Sequence, residues 1–164
     1  MKSAPAHIDL LAAFTVQEEV GLRGAKVAAH YFKPDIAIVI DATPANDLPM
    51  QHDGENTFYN TKLGLGPAIY VANSSTLDDP RLVRFMAQTA EKAKIPFQYR
   101  QPGGGATNAG AIQRVAGGIP VVSLSVPHRY TNSAMSVARV DDLRNTVALL
   151  SEVLLCISPA VLKR

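Results

Sequence analysis

Five consecutive apolar residues, Ile36-Ala37-Ile38-Val39-Ile40, are followed at once by an aspartate, Asp41. A run this short and this rich in β-branched side chains predicts a strand covered on both faces, as parallel strands are. Pro34-Asp35 in front of it marks the turn that delivers the chain to the strand. A strand covered on both faces needs helices on both sides of its sheet, and the rest of the chain supplies them. Residues 8–16 read as a buried strand, 20–31 as a helix and 67–72 as another strand. Asp78-Asp79-Pro80 opens a further helix, with a capping aspartate and a proline in the first turn. Residues 96–99 read as a short strand, 109–115 as a helix and 119–126 as the last strand. The terminal helix spans 141–157 and begins with an acidic pair suited to its N-terminal dipole. With no internal repeat, linker or low-complexity tract, this alternation predicts one α/β domain over residues 1–164 with a largely parallel sheet flanked by helices.

Composition narrows the function classes. Hydrophobic residues make up 47% and charged residues 18% of the chain, an ordinary globular balance far from the disordered range. The net charge is +2, and no basic stripe or aromatic platform suits nucleic acid. The longest apolar stretch, 147–162, is broken by Ser151, Glu152, Ser158 and Pro159, which argues against a membrane span. Lys2 followed by Asp9 makes a poor signal peptide. Cys156 is the single cysteine, so no disulfide forms within the chain; it reads as a buried thiol, consistent with a cytoplasmic protein.

In parallel α/β sheets ligands bind beyond the carboxyl ends of the strands, so the residues at those ends carry the functional information. The first candidate is Glu18-Glu19, between strand and helix. Adjacent carboxylates there can divide labour, one holding a metal and the other taking a proton from metal-bound water. They equally suit a first helical turn with no further role. Asp41 ends a buried strand, where an unpaired carboxylate is costly to desolvate, and it reads either as a site residue or as a turn former. With Glu19 it can bracket one cation or two. Gly103-Gly104-Gly105-Ala106-Thr107-Asn108 precedes a helix but lacks the Lys and Ser/Thr of a phosphate loop and the third glycine of a dinucleotide fingerprint. It reads as backbone lining a cleft. Val126-Pro127-His128-Arg129-Tyr130-Thr131-Asn132-Ser133 follows the last strand, and its polar residues face the same crevice. His7, His30 and His52 show no metal-ligand spacing.

Phe14-Thr-Val-Gln-Glu-Glu-Val-Gly-Leu-Arg-Gly-Ala25 strongly resembles the glutamate motif of metallopeptidase family 42, the TET, deblocking and glutamyl aminopeptidases. Asp41-Ala-Thr with Asp47 nearby resembles that family's next metal motif. Lys62-Leu-Gly-Leu-Gly-Pro-Ala-Ile69, the glycine loop and the Val-Pro-x-Arg-Tyr ending of the last strand resemble it too, in family order along nearly the whole chain. The resemblance implies a three-layer α/β sandwich of the zinc-dependent exopeptidase type, hydrolysing N-terminal residues from peptides with two divalent metals, zinc or cobalt. By that resemblance Glu18 is the general base, Glu19 ligates one metal and Asp41 the other. Gly104, Gly105 and Asn108 line the substrate side.

The chain departs from the family pattern at Asn132, which stands where the family has a histidine ligand and is a weaker donor for zinc, and at Asn108, which stands where it has aspartate. It matches only the C-terminal half of a family catalytic domain, without the N-terminal part or the inserted lid domain. The expectation is an isolated chain that is inactive or very weak and associates into a homo-oligomer through an uncovered sheet edge. The alternative is a catalytically inactive module serving binding or assembly.

Overall fold

The computed structural model of the chain describes residues 7–49, 56, 60–101 and 104–163. Its longest strands are β1 (Ala37–Pro44) and β4 (Val121–Arg129), which pair in parallel from Ala37 opposite Val121 to Pro44 opposite His128. Two short strands, β2 (Ala68–Ile69) and β3 (Gln98–Tyr99), pair in parallel with each other, and β2 runs antiparallel to β4. β5 (Val137–Ala138) adds an antiparallel contact at the far end of β4. The order β1-β4-β2-β3 makes a mixed sheet with β4 at its centre, less parallel than the apolar runs suggest.

Helices cover both faces of this sheet. α2 (Pro80–Ala93) and α4 (Val140–Cys156) pack together on one face. Leu82, Met86, Leu149 and Val153 meet Val122, Leu124 and Ile69 there in the larger core cluster. α1 (Arg23–Phe32) and the single-turn α3 (Ala109–Ile112) cover the other face, where Ala29, Ala109 and Val115 gather around Val39, Val121 and Ile119. Alternation along β1 and β4 sends odd-numbered residues to the α1/α3 face and even-numbered ones to the α2/α4 face. The chain is therefore a three-layer α/β sandwich, and a 3₁₀ turn at Pro159–Leu162 packs against α2.

Local chemistry accounts for the element ends. Asp79 caps α2, accepting from the Arg81 amide, with Pro80 in the first turn. Asp142 in the first turn of α4 is fully buried, and its two carboxylate oxygens accept from the amides of Gly64 and Gly66 at 2.8 and 2.9 Å. Gly66 has a φ of +84°, and a Cβ there would stand 2.1 Å from the Pro96 carbonyl, so no other residue fits.

Three expectations fail. Residues 8–16 form no strand, and Leu10, Leu11, Phe14 and Val16 are exposed. An apolar run becomes a strand only by pairing, and this one pairs with none of the described strands. α1 starts at Arg23 rather than at residue 20, because Gly21 and Leu22 take positive φ values of 112° and 57°. Cys156 is exposed rather than buried: α4 turns it outward at its last residue, toward a groove of about 230 Å³ lined by Phe85, Lys92 and Glu152. Among the described residues no helix is long and apolar enough to cross a membrane.

Candidate functional site

The parallel ends of β1 and β4 lie side by side and carry the candidate residues. Strand β1 runs on past the apolar run to Pro44, so Asp41 lies within the strand and not after it. Its register partner is Ser125, whose hydroxyl is buried without a hydrogen-bond partner. Both belong to the odd-numbered set and so face the α1/α3 layer. Glu18 and Glu19 come from the loop ahead of α1. That loop is a tight hydrogen-bonded turn: the amides of Gly21 and Leu22 donate to the Glu18 carbonyl, Arg23 to that of Gln17 and Gly24 to that of Val16. Gly24 permits the approach, since a Cβ there would stand 2.4 Å from the Val16 oxygen.

Two stretches of unusual backbone flank these carboxylates. Gln17 has a φ of 60°, and across the crevice Tyr130 and Asn132 have φ values of 63° and 56°. None is a glycine and none ends a helix, unlike Lys33 and Lys94, whose left-handed conformation closes α1 and α2. Left-handed backbone of this kind persists only where surrounding structure enforces it, and it gathers at functional loops.

The electrostatics tie the carboxylates together. Burial, then the charges of Asp41 and Glu19, hold the Glu18 carboxyl above its ordinary value. Burial also raises Asp41, opposed by the Ala42 amide that donates to it at 2.7 Å, raised further by Glu19 and opposed by His128. Glu18, Glu19, Asp41 and His128 thus act on one another, with burial the largest cause of the raised values and repulsion among the acids adding to it.

The other candidates fall into place around this group. Asp47 is not among them: burial raises it, but Arg129 at 2.7 Å and the Leu63 amide outweigh burial and hold it low. That ion pair closes one wall of a cleft of about 360 Å³ formed by Pro44, Asn46, Leu48, Tyr130 and Thr131. His128 is half-buried and its Nε2 lies 2.9 Å from the Thr131 hydroxyl. Asn132 is exposed and makes no hydrogen bond among the described residues. Gly104 and Gly105 are exposed; the Gly104 carbonyl accepts from the buried Arg100 and the Gly105 carbonyl from Ser74. Pro102 and Gly103 of the glycine loop, and His52, lie outside the described residues. Asn108 is half-buried and turns its amide group to Thr15, 3.5 Å away.

These donors do not amount to a metal cage. Among the described residues no three His, Cys, Asp or Glu side chains are arranged to hold a metal ion. The carboxylates share a field without converging on one point, and no chemical step is derived through a metal.

Two acidic residues with structural importance escaped the sequence. Asp78 does not cap α2; its Oδ1 accepts from the backbone amide of Ser123 at 2.8 Å, and its Oδ2 is buried without a partner. Asp142, legible only as a charge near a helix dipole, instead anchors the Gly64–Gly66 loop. Nothing in the spacing signals either, because the partners lie far along the chain.

Comparison with known proteins agrees with this architecture. The family model described as M42 glutamyl aminopeptidase matches residues 1–149. A presumptive aminopeptidase of Acetivibrio thermocellus is 43% identical over 139 residues, covering 85% of this chain and 41% of the relative. The glutamyl aminopeptidase of Lactococcus lactis is 34% identical over 135 residues, covering 82% and 36%. Among solved structures, the aminopeptidase APDkam598 of Desulfurococcus kamchatkensis superimposes with a TM-score of 0.84 at 35% identity, covering 90% of this chain and 41% of that one. The Pyrococcus horikoshii TET1 peptidase, which can assemble into a tetrahedron or a large octahedral shell, gives 0.74 at 34% identity, covering 88% and 40%. The chain therefore spans about two fifths of the length of these relatives. With the sandwich and the glutamate loop in place, the chain belongs to the M42 glutamyl aminopeptidase family.

Proposed function

We propose that the chain is the carboxylate-bearing part of an aminopeptidase active site, contributing to hydrolysis of N-terminal residues from peptides. The observation that carries this reading is that Glu18 and Glu19, on the loop ahead of α1, and Asp41, within β1, are near enough for their charges to act on one another. Glu18 is the general base: a carboxylate whose carboxyl is held above its ordinary value takes up a proton more readily than a free one. Glu19 and Asp41 attract the divalent cations, zinc or cobalt, with Asn132 as a weak further donor. The backbone at Gly104 and Gly105 lines the substrate side. Since no three such donors converge among the described residues, the isolated chain binds such cations weakly and is inactive or very weak as a peptidase.

A second reading, an inactive module for binding or assembly, is favoured by one observation. Asn132, where the family has a histidine ligand, stands exposed and makes no hydrogen bond among the described residues. Calorimetric titration with zinc and cobalt, with Glu19→Ala as control, separates the two. Weak binding that disappears in Glu19→Ala supports the aminopeptidase reading; no binding, or binding indifferent to Glu19, overturns it. Turnover of aminoacyl substrates by the isolated chain would refute its predicted inactivity.

Association into homo-oligomers belongs to the same proposal. The amides of Ala37 and Ala45 donate to carbonyls in and beside β4, so odd-numbered positions of β1 point toward β4. The backbone amides of even-numbered Ile38 and Ile40 therefore point to the opposite edge, which no other described strand covers. Such an edge promotes association, and the TET1 neighbour is an assembling peptidase. A cytoplasmic location accords with the chain having a single, exposed cysteine.

A further inference from the structure

We propose that Asn108 is a positioning residue that holds the carboxylate-bearing loop against α3 through Thr15. The proposal rests on the reading of Glu18 and Glu19 as site residues, and concerns how they are kept in place.

Residues 8–22 are weakly fastened. Among the described residues their hydrogen bonds run within the segment or to the start of α1, with one exception: the Asn108 amide group donates to the Thr15 hydroxyl at 3.5 Å. This bond joins positions far apart in sequence and ties the loop to the layer that carries the glycine loop. Thr15 lies two residues before Gln17, whose left-handed backbone turns the chain to present Glu18 and Glu19. A restraint on Thr15 therefore acts at the root of that turn.

The other half of the Asn108 side chain indicates what the residue is for. Its Oδ1 is buried and accepts no hydrogen bond, which is unfavourable. Asn108 occupies the cap position of α3 yet makes no side-chain cap. Neither feature explains an asparagine at this place, and only its NH₂ group, directed at Thr15, is used. If stability alone mattered, an apolar residue of similar size would serve as well.

That contrast supplies the test. In Asn108→Leu the orphaned acceptor and the donor disappear together, so thermal stability is expected to stay level or rise. Loss of one long hydrogen bond should nevertheless speed local opening of the loop by about threefold to tenfold. Amide hydrogen exchange reads this at Gly21, Leu22, Arg23 and Gly24, whose amides close the turn. Thr15→Val should do the same, and the double variant should exchange no faster than either single one. Amides of α2 and α4 should be unaffected. Unchanged loop exchange, acceleration spread evenly over α2 and α4, or effects of the two substitutions that simply multiply would each overturn the proposal. Absence of Glu19-dependent cobalt binding in the unaltered chain would overturn the functional reading and leave the loop's fastening standing.

Discussion

At the scale of single residues, the buried acids divide by what their oxygens meet. Burial pushes Asp78 up to about 6 from an ordinary 3.8, against the opposing bonds from the Ser123 hydroxyl and amide, because its second oxygen has no partner. An aspartate whose folded value lies above its unfolded one contributes stability fully below the unfolded value. That contribution is lost as pH rises through the folded value. The chain should therefore lose stability between about pH 4 and pH 6, by about 3 kcal/mol for a shift of this size. Asp78→Asn keeps an acceptor for Ser123 and removes the charge. Urea unfolding at pH 4 and pH 7.5 should show little difference from the unaltered chain at the lower pH and a clear gain at the higher; equal curves at both would refute the assignment. Asp41 carries a raised value for a partly different reason, since the charge of Glu19 contributes beside burial.

Between elements, the strongest single tie is made by Asp142. Its carboxylate satisfies two loop amides, so Asp142→Ala leaves the buried Gly66 amide unpaired at about 1–3 kcal/mol and also loses the bond to the more exposed Gly64. Asp79→Ala removes one cap bond and costs about 1 kcal/mol. The exposed pair of Asp141 and Arg144, one residue from Asp142, contributes about 0–1 kcal/mol. Denaturant titration of the three alanine variants at positions 79, 141 and 142 should rank them 142, 79, 141 in loss. A larger loss at 141 than at 142 would contradict the assigned roles.

The same comparison explains what the sequence did and did not disclose. Helix α2 was legible because its signals, Asp79, Pro80 and the apolar stripe, are local. The run at 36–40 was legible as a strand because β-branched residues in sequence are enough to mark one. The bond from Asp142 to Gly64 and Gly66 was not, because neither partner announces the other across the intervening chain. Residues 8–16 misled for the converse reason. Their composition suits a strand, but pairing is a property of neighbours, and the segment pairs with none of the described strands. At the site, Glu18, Glu19 and Asp41 were nameable from motif order, whereas the link between Asn108 and Thr15 needed the fold.

For the molecule as a whole, β1 ends the sheet with an edge that none of the other described strands covers. Ile40 is about half exposed on β1, and Phe14 and Tyr31 expose most of their surface in the segment and helix before it. Unpaired strand edges with apolar neighbours associate, and a charge placed on the edge prevents this. Ile40→Lys is therefore expected to shift the chain toward monomer in light scattering without loss of helical signal. A monodisperse monomer before substitution would count against association altogether.

The central place of β4 has a consequence for how the chain is made. It pairs with β1, β2 and β5, and both helical layers rest on the sheet it organises. Residues 121–129 leave a ribosome well after residues 37–44, so β1 must wait, unpaired, while the intervening stretch is synthesised. Contacts between such distant stretches form slowly, because closing the intervening loop comes before any gain from pairing. Through that interval the 36–40 run is exposed to other nascent chains, and the yield of folded protein should fall as translation slows between β1 and β4.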